Sequence, residues 1–487
     1  MPLSTALNIA QNSLLNVTRR AGVTARNVSE SGNENYSRRM ALLATTEPGA
    51  RVVSIRRAVD TELSRANRQA LSGNSAQQTI AGGVDQLYSI INGADGSLSH
   101  SELLTELHNR IQTWSAAPSN PLLANAVLDG AKQLAGNIQS AAQSVQNYRG
   151  QLDSEISGEV DKLNGLLAEF KDVNAQIVNG TLGGSDVNDA LDRRDALLKD
   201  ISAIVPVSAI TRNGDDMMLI TEGGATLFET VPREVTFTPL PGYAPGTIGN
   251  SVRIDGIPLE QGEGSRTSGG GSIAALLQLR DDVAIQVQGQ LDEVARGLVE
   301  TFAERDPSGG GLTPLAGLFT FAGGPGLPAN GTISVGLAST LQVNAAFDPA
   351  QGGNISLLRD GGANGAAYVQ NANNTASFAD RLIAYGNAFD TALTFDPQSG
   401  LGGAISLLSY SSQSVGWLDG YRSDATAAAA SKEALSVRLA EKLSNATGVN
   451  IDEEMSQLVD LEHSYEASAR IIKAVDDMLA NLFAAVR

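Results

Sequence analysis

The chain has 487 residues, a formal net charge of −19 and no cysteine. Such a length suffices for about three ordinary domains. The acidic balance disfavours nucleic acid or an anionic membrane as main partner, and the lack of Cys removes disulfides, thiol catalysis and thiolate metal sites together. Aromatic content of 5% beside 51 glycines points to an extended molecule with thin cores, because large aromatic anchors dominate thick ones.

The first element reads as an amphipathic helix. Leu3, Leu7, Ala10, Leu14, Val17, Ala21 and Val28 recur at steps of four and three, with Thr24 breaking the run. Asn8, Gln11, Asn12 and Asn16 interrupt it, so it is not a secretory signal peptide. Nowhere does the chain approach the ~18 consecutive apolar residues of a membrane span. After a polar break at Ser31, two short strands over 36–45 and 51–58 predict a hairpin around Glu47, Pro48 and Gly49.

Helical pattern resumes near Asp60, continues through Leu98 to Trp114, breaks at Pro118 and Pro121, and returns over 122–177. That last stretch would be roughly 80 Å long as one helix, which favours a rod. A shorter helix over 187–204 is ended by Pro206. Over 205–267 the apolar period becomes two, predicting an inserted β domain. Helix returns at Ser272 and runs to Phe302. Residues 306–374, rich in Gly, Asn and Ala, read as irregular with a few strands. Helices are predicted over 376–392 and 423–445, with Gly448 closing the second.

Asn450, helped by Glu453, caps a final helix. Its stripe is Ile451, Met455, Leu458, Leu461, Tyr465, Ala469, Ile472, Val475, Leu479, Leu482 and Val486. Neither terminal stripe can be buried alone, so each must pack on the other, on partner subunits, or both. The candidate assembly seam is therefore Leu3, Leu7, Leu14, Val17 and Val28 with Ile451, Met455, Leu458, Tyr465, Ile472, Leu479 and Leu482. Charge favours the pairing, since the residues before Ala58 are rich in Arg and the last helix is rich in Asp and Glu.

These readings predict a mainly α protein with an inserted β domain. Residues 1–58 and 447–487 form a terminal helical assembly region with a short hairpin. Residues 59–204 and 268–446 form a helical rod, and 205–267 the β insertion.

No motif carries catalytic chemistry, and no catalytic, cofactor or metal residue is assigned. His100 and His108 lie two helical turns apart near Glu102 and Glu106 but read as surface histidines, and the third histidine is His463. Asp95, Gly96 and Glu102 imitate the end of a calcium loop, yet Ile91 occupies its first ligand position. Gly269, Gly271 and Ala274 match a loose dinucleotide pattern without an upstream buried strand, so they read as a flexible domain junction.

Four stretches carry a resemblance. Asn27 and Val28 through Asn35, Tyr36, Ser37 and Arg38 form an Asn-rich helix end followed by a Tyr-Ser-Arg run. Leu191, Asp192, Arg193, Arg194, Asp195, Ala196 and Leu197 are similar to a Leu-Asp-Gln-Arg-Asp-x-Leu helix, with Arg193 in place of Gln. Gly269 to Asp281 resembles a Gly-rich entry to a Leu-x-x-Arg-Asp helix, and Gly448 to Glu454 a final helix start. Together they resemble the flagellar hook-associated proteins of the hook–filament junction, the FlgK family.

The resemblance implies an elongated flagellar axial protein whose terminal helices pack in a coiled-coil-like rod. It further implies a homo-oligomeric ring between hook protein and second junction protein. A cytoplasmic export chaperone would bind the C-terminal helix, and the chain would be secreted through the flagellar export apparatus to the extracellular flagellum. The alternatives are another axial protein, whether a second junction protein or flagellin-like, and a secreted adhesin or glycan-acting protein on a helical stalk.

Overall fold

A computed structural model describes residues 2–485 except 47, 48, 94, 95 and 97. The predicted hairpin turn at Glu47 and Pro48, the calcium-like Asp95 and the stripe residue Val486 lie outside the described residues. Helix α1 (Pro2–Ser29) leads into an antiparallel hairpin of β1 (Arg39–Thr46) and β2 (Gly49–Arg57). Asp60 then caps α2 (Thr61–Asn92) by accepting from the Leu63 amide at 2.9 Å.

The helical run expected from Asp60 to Trp114 is two helices, because Gly93 leaves α2 at φ 75° and Ser99 caps α3 (His100–Ala116). The spine of the molecule is α4 (Pro121–Gly183), whose 63 residues span about 95 Å. Asn120 caps it, Pro121 fills its first turn, and Gly184 ends it in the left-handed conformation. Its inward stripe from Val127 through Leu134, Ile138, Leu163 and Phe170 to Ile177 is fully buried. Helix α5 (Asn188–Ile204) folds back along it.

The β insertion is two small antiparallel sheets: β3 (Val207–Thr211), β4 (Met217–Thr221) and β5 (Thr226–Phe228), then β6 (Val235–Thr236), β7 (Arg253–Ile254) and β8 (Ile257–Pro258). Both share the hydrophobic core of the helices; Phe228, for example, meets Phe170 of α4 edge-on at 5.0 Å. Helices α6 (Gly271–Gln278) and α7 (Ala284–Thr301) are joined by a π-helical turn at Leu279–Val283. That wider turn accompanies the burial of Arg280, which pairs with Asp153 of α4 at 2.6 Å and donates to the Asn250 carbonyl.

The Gly269–Gly271 junction is tight, not flexible as expected. A Cβ on Gly271 would stand 2.2 Å from the Ile204 carbonyl oxygen, and its φ of 78° suits glycine alone. Here glycine serves close backbone approach.

Residues 306–374 contain β9 (Phe319–Thr320), α8 (Leu337–Thr340), β10 (Gln342–Val343) and α9 (Ser356–Asp360). Irregular as they are, they bury Leu318, Phe319, Phe347 and Leu358 completely. The helix expected over 376–392 is shorter, α10 (Asp380–Ala388), and leads into the hairpin β11 (Ala392–Phe395) and β12 (Gly403–Ser406). Conversely α11 (Leu407–Thr447) begins well before the expected 423. Its first turns carry Ser, Gly and Asp, poor helix formers, and are held by packing of Leu407, Tyr410 and Leu418. Helix α12 (Ile451–Ala485) completes the chain.

His100 and His108 are core residues, not surface ones. His108 stacks on Phe389 at 4.8 Å. Burial lowers the His100 pKa to about 4, with the Ser411 backbone opposing only in part. A histidine depressed in the fold contributes stability above its unfolded value near 6.5, and that contribution is lost as pH falls toward 4. The loss is about 3 kcal/mol. Burial acts oppositely on Asp292, raising it to about 6, so the comparison must be between variants. The difference in thermal stability between His100→Leu and the parent chain is expected to shift by that amount in favour of the variant between pH 6.5 and 4.

Candidate assembly interface

The two terminal helices pack on each other over most of their length. Ser13 meets Ser468 at 2.9 Å, while Asn27 lies beside Arg39 and its neighbour Arg38 binds Glu454. The pairing is therefore antiparallel. Each helix supplies a heptad: Leu3, Ala10, Val17 and Thr24 from α1, and Glu454, Leu461, Ser468 and Val475 from α12. Thr24, read from sequence as a break, is 2% exposed and belongs to the seam. The two rows carry small side chains at Ala10, Thr24 and Ser468 and no aromatic anchor.

The structure divides the candidate seam residues. Val17 is buried; Leu3, Leu7, Leu14, Val28, Leu458, Ile472 and Leu479 are half-buried. Ile451, Met455, Tyr465 and Leu482 are exposed, as are Val459, Ile471, Met478 and Phe483. Helix α12 thus carries more apolar surface than α1 can cover. The reason is width: the single neighbouring helix covers one heptad row, Glu454, Leu461, Ser468 and Val475, whereas the apolar stripe takes in the adjoining row from Ile451 through Tyr465 to Leu479 as well.

The arginines of the first 58 residues do not meet α12 as a row. Among the described residues the ion pairs from this region to α12 are Arg38 with Glu454 at 2.6 Å and with Glu453 at 3.2 Å. Arg26, Arg39 and Arg57 turn instead to α5. Asp192 accepts from both Arg39 and Arg57, Asp195 from Arg57 at 2.6 Å, and Asp189 from Arg26 at 2.8 Å and Arg39 at 3.1 Å. Burial pushes the Asp189 carboxyl up, but the hydrogen bonds from Arg26 and Arg39 outweigh it and hold the group below its ordinary range.

This gives the Leu-Asp-Arg-Arg-Asp run a physical meaning. Asp192 and Asp195 face the hairpin, Arg194 turns inward to Asn174 and the Asp215 carbonyl, and Leu197 and Leu198 enter the core. Arg193 faces solvent and pairs with Glu169, so a Gln-to-Arg exchange there is neutral for the clamp.

Sequence reasoning did not assign the two asparagines that hold the hairpin. Asn16 accepts from the Val52 amide at 2.9 Å and donates to the Ala50 carbonyl, tying β2 to α1. Asn27 donates to the Arg39 carbonyl and accepts from the Arg39 amide, both at 2.9 Å, and from Tyr36 Oη at 2.8 Å. The signal was a polar residue recurring on the inner face of an otherwise apolar stripe.

No group of three His, Cys, Asp or Glu able to hold a metal ion occurs among the described residues. No helix of the described residues is long and apolar enough to cross a membrane.

Residues 84–319 match the family of the flagellar hook-associated protein FlgK helical domain, and residues 443–484 that of the flagellar basal body rod FlgEFG protein C-terminal region. Flagellar hook-associated protein 1 of Bacillus subtilis (strain 168) is 23% identical over 506 residues, covering 94% of this chain and 93% of that protein. The fold is similar to the flagellar hook junction protein FlgK from Burkholderia pseudomallei, with a TM-score of 0.56 at 14% identity, over 78% of this chain and 99% of that one.

Proposed function

We propose that this chain, which belongs to the FlgK family of flagellar hook-associated proteins, is a structural subunit of the junction between flagellar hook and filament. The family is structural, not enzymatic. The observation that carries the reading is the apolar surface left on α12 after α1 has been covered, at Ile451, Met455, Tyr465, Leu482 and Phe483. In a ring of identical subunits, that surface packs on neighbouring subunits, and the terminal helices line the inner tube.

Hook protein below and the second junction protein above are the axial neighbours. Export through the flagellar apparatus brings the chain to the flagellum with a cytoplasmic chaperone on α12, whose Leu458, Tyr465, Ile472 and Leu479, spaced by seven, offer the anchors that a helical groove takes. The seam residues of both helices are the proposed assembly contacts.

The test is complementation of a strain lacking the gene. The full chain is expected to restore filaments on hooks. A chain lacking 451–487 is expected to leave bare hooks and to lose the complex with its export chaperone in pull-down. Filaments on hooks without the protein would overturn the junction role; chaperone binding by the truncated chain would move that site elsewhere.

A further inference from the structure

A cleft of about 1350 Å3 opens between β2, the first turns of α2, and α5. In a chain of net charge −19 it is lined by six arginines against four acidic side chains. Arg57 and Arg194 are committed to the clamp described above, and Arg65 pairs with an exposed Glu62, a contact worth little. Arg19, Arg56 and Arg68 have no carboxylate within ion-pair distance among the described residues, and the Arg68 Nε is buried without a hydrogen-bond partner. Between them stand exposed apolar side chains: Val53 and Val59 at 53% and 54%, and Ile55 at 37%. Surplus positive charge alternating with apolar surface calls for an occupant that is both acidic and apolar.

The chain contains one. On α12 the face turned away from α1 carries Ile451, Asp452, Met455, Val459, Glu462 and Glu466, at helical offsets 0, 1, 4, 8, 11 and 15. All six are exposed, and at 100° per residue they share one side of the cylinder. Asp452 and Glu462 make no ion pair among the described residues. Within one chain this face cannot reach the cleft, because the same helix is held against α1 and its opposite side is turned outward. We propose that in the assembled junction the first four turns of α12 from a second copy of this chain dock in the arginine cleft. Asp452 and Glu462 then meet Arg56 and Arg65, and Met455 and Val459 meet Val53 and Val59. This rests on the ring assembly proposed above and assigns it one subunit contact. Charge complementarity sets the register of that contact and rejects two clefts or two acidic faces meeting.

The absence of native cysteine makes the test clean. Full-length chain carrying Val59→Cys and Val459→Cys, expressed in place of the parent, is examined on isolated hook–filament junctions under mild oxidation. The expected result is a ladder of disulfide-linked multimers that neither single variant gives. In parallel, Arg56→Glu with Arg65→Glu is expected to lower the fraction of filamented hooks at least tenfold while leaving the monomer's melting unchanged. Adding Asp452→Lys and Glu462→Lys is expected to restore it.

A second pair, Leu15→Cys with Phe483→Cys, reports other contacts between neighbouring two-helix units. Multimers from this pair alone, on junctions that hold the protein, would overturn the cleft docking and leave the junction role standing. Junctions that contain none of the protein would overturn the role itself. Failure of the charge exchange to restore filaments would also count against the docking.

Discussion

Leu461→Asp is expected to separate the terminal helices of a single chain while the central helical domain melts as before. Leu461 is 2% exposed at the middle of the α1–α12 seam, so the substitution leaves a charge without a partner in a packed apolar layer. The effective penalty is several kcal/mol, more than a two-helix unit of this kind can absorb when so few of its layers hold large side chains. Limited proteolysis should cut the variant within 2–29 and 451–485 while 61–447 stays intact, and filament attachment should be lost. Phe483→Asp provides the contrast. At 69% exposure it should leave the monomer's protease pattern and melting unchanged and yet abolish attachment. Equal sensitivity of the monomer to both changes would mean that α12 has no face reserved for neighbours.

Asp192→Ala is expected to uncouple the terminal region from the helical domain. The variant takes their shared anion from Arg39 and Arg57, 3% and 10% exposed, and leaves each with a single, more exposed carboxylate, Asp189 and Asp195 respectively. Leaving a buried charge without a partner costs about 3 kcal/mol or more; with Asp189 and Asp195 still offsetting part of the charge, the cost here is below that and falls on one junction. The hairpin and Tyr36, which lies under Arg39 at 4.7 Å, lose the central tie to α5 and keep only the outer pairs to Asp189 and Asp195. New cleavage between 30 and 38, and a low-temperature transition separated from the main one, would report it. Arg193→Ala, two-thirds exposed on the same helix, should change stability by less than about 0.5 kcal/mol. A single unbroken transition in Asp192→Ala would show that the pairs to Asp189 and Asp195 suffice to fix the terminal region without Asp192.

Much of the architecture is legible in the sequence because it is periodic. The stripe from Leu134 to Ile177 declares a long helix, the change of period near Val205 declares strands, and Asn450 with its acidic first turn declares a helix start. Where local propensity and tertiary packing disagree, the reading falters. The first turns of α11 carry residues that a helix does not favour, and they are helical because Tyr410 and Leu418 are buried. Gly269 to Gly271 look like slack and are a close backbone contact. The histidines look like surface residues and are core, since nothing in a helical stripe records which neighbours will close over it.

The assembly region divides the same way. Sequence alone determines that both ends are amphipathic helices with more apolar surface than either can hide, and that disulfide and thiol chemistry are not available to these residues. Only the tertiary structure decides which apolar residues are spent within the chain and which remain, because antiparallel pairing covers one heptad row, at Leu461 and Val475, and leaves the rows beside it open. It also decides the partners of the charges. Arginines that sequence would pair with α12 turn to Asp189, Asp192 and Asp195 because the hairpin, held by Asn16 and Asn27, carries them there. A row of like charges states a need for opposite charge; distance in the folded chain selects which carboxylate answers it.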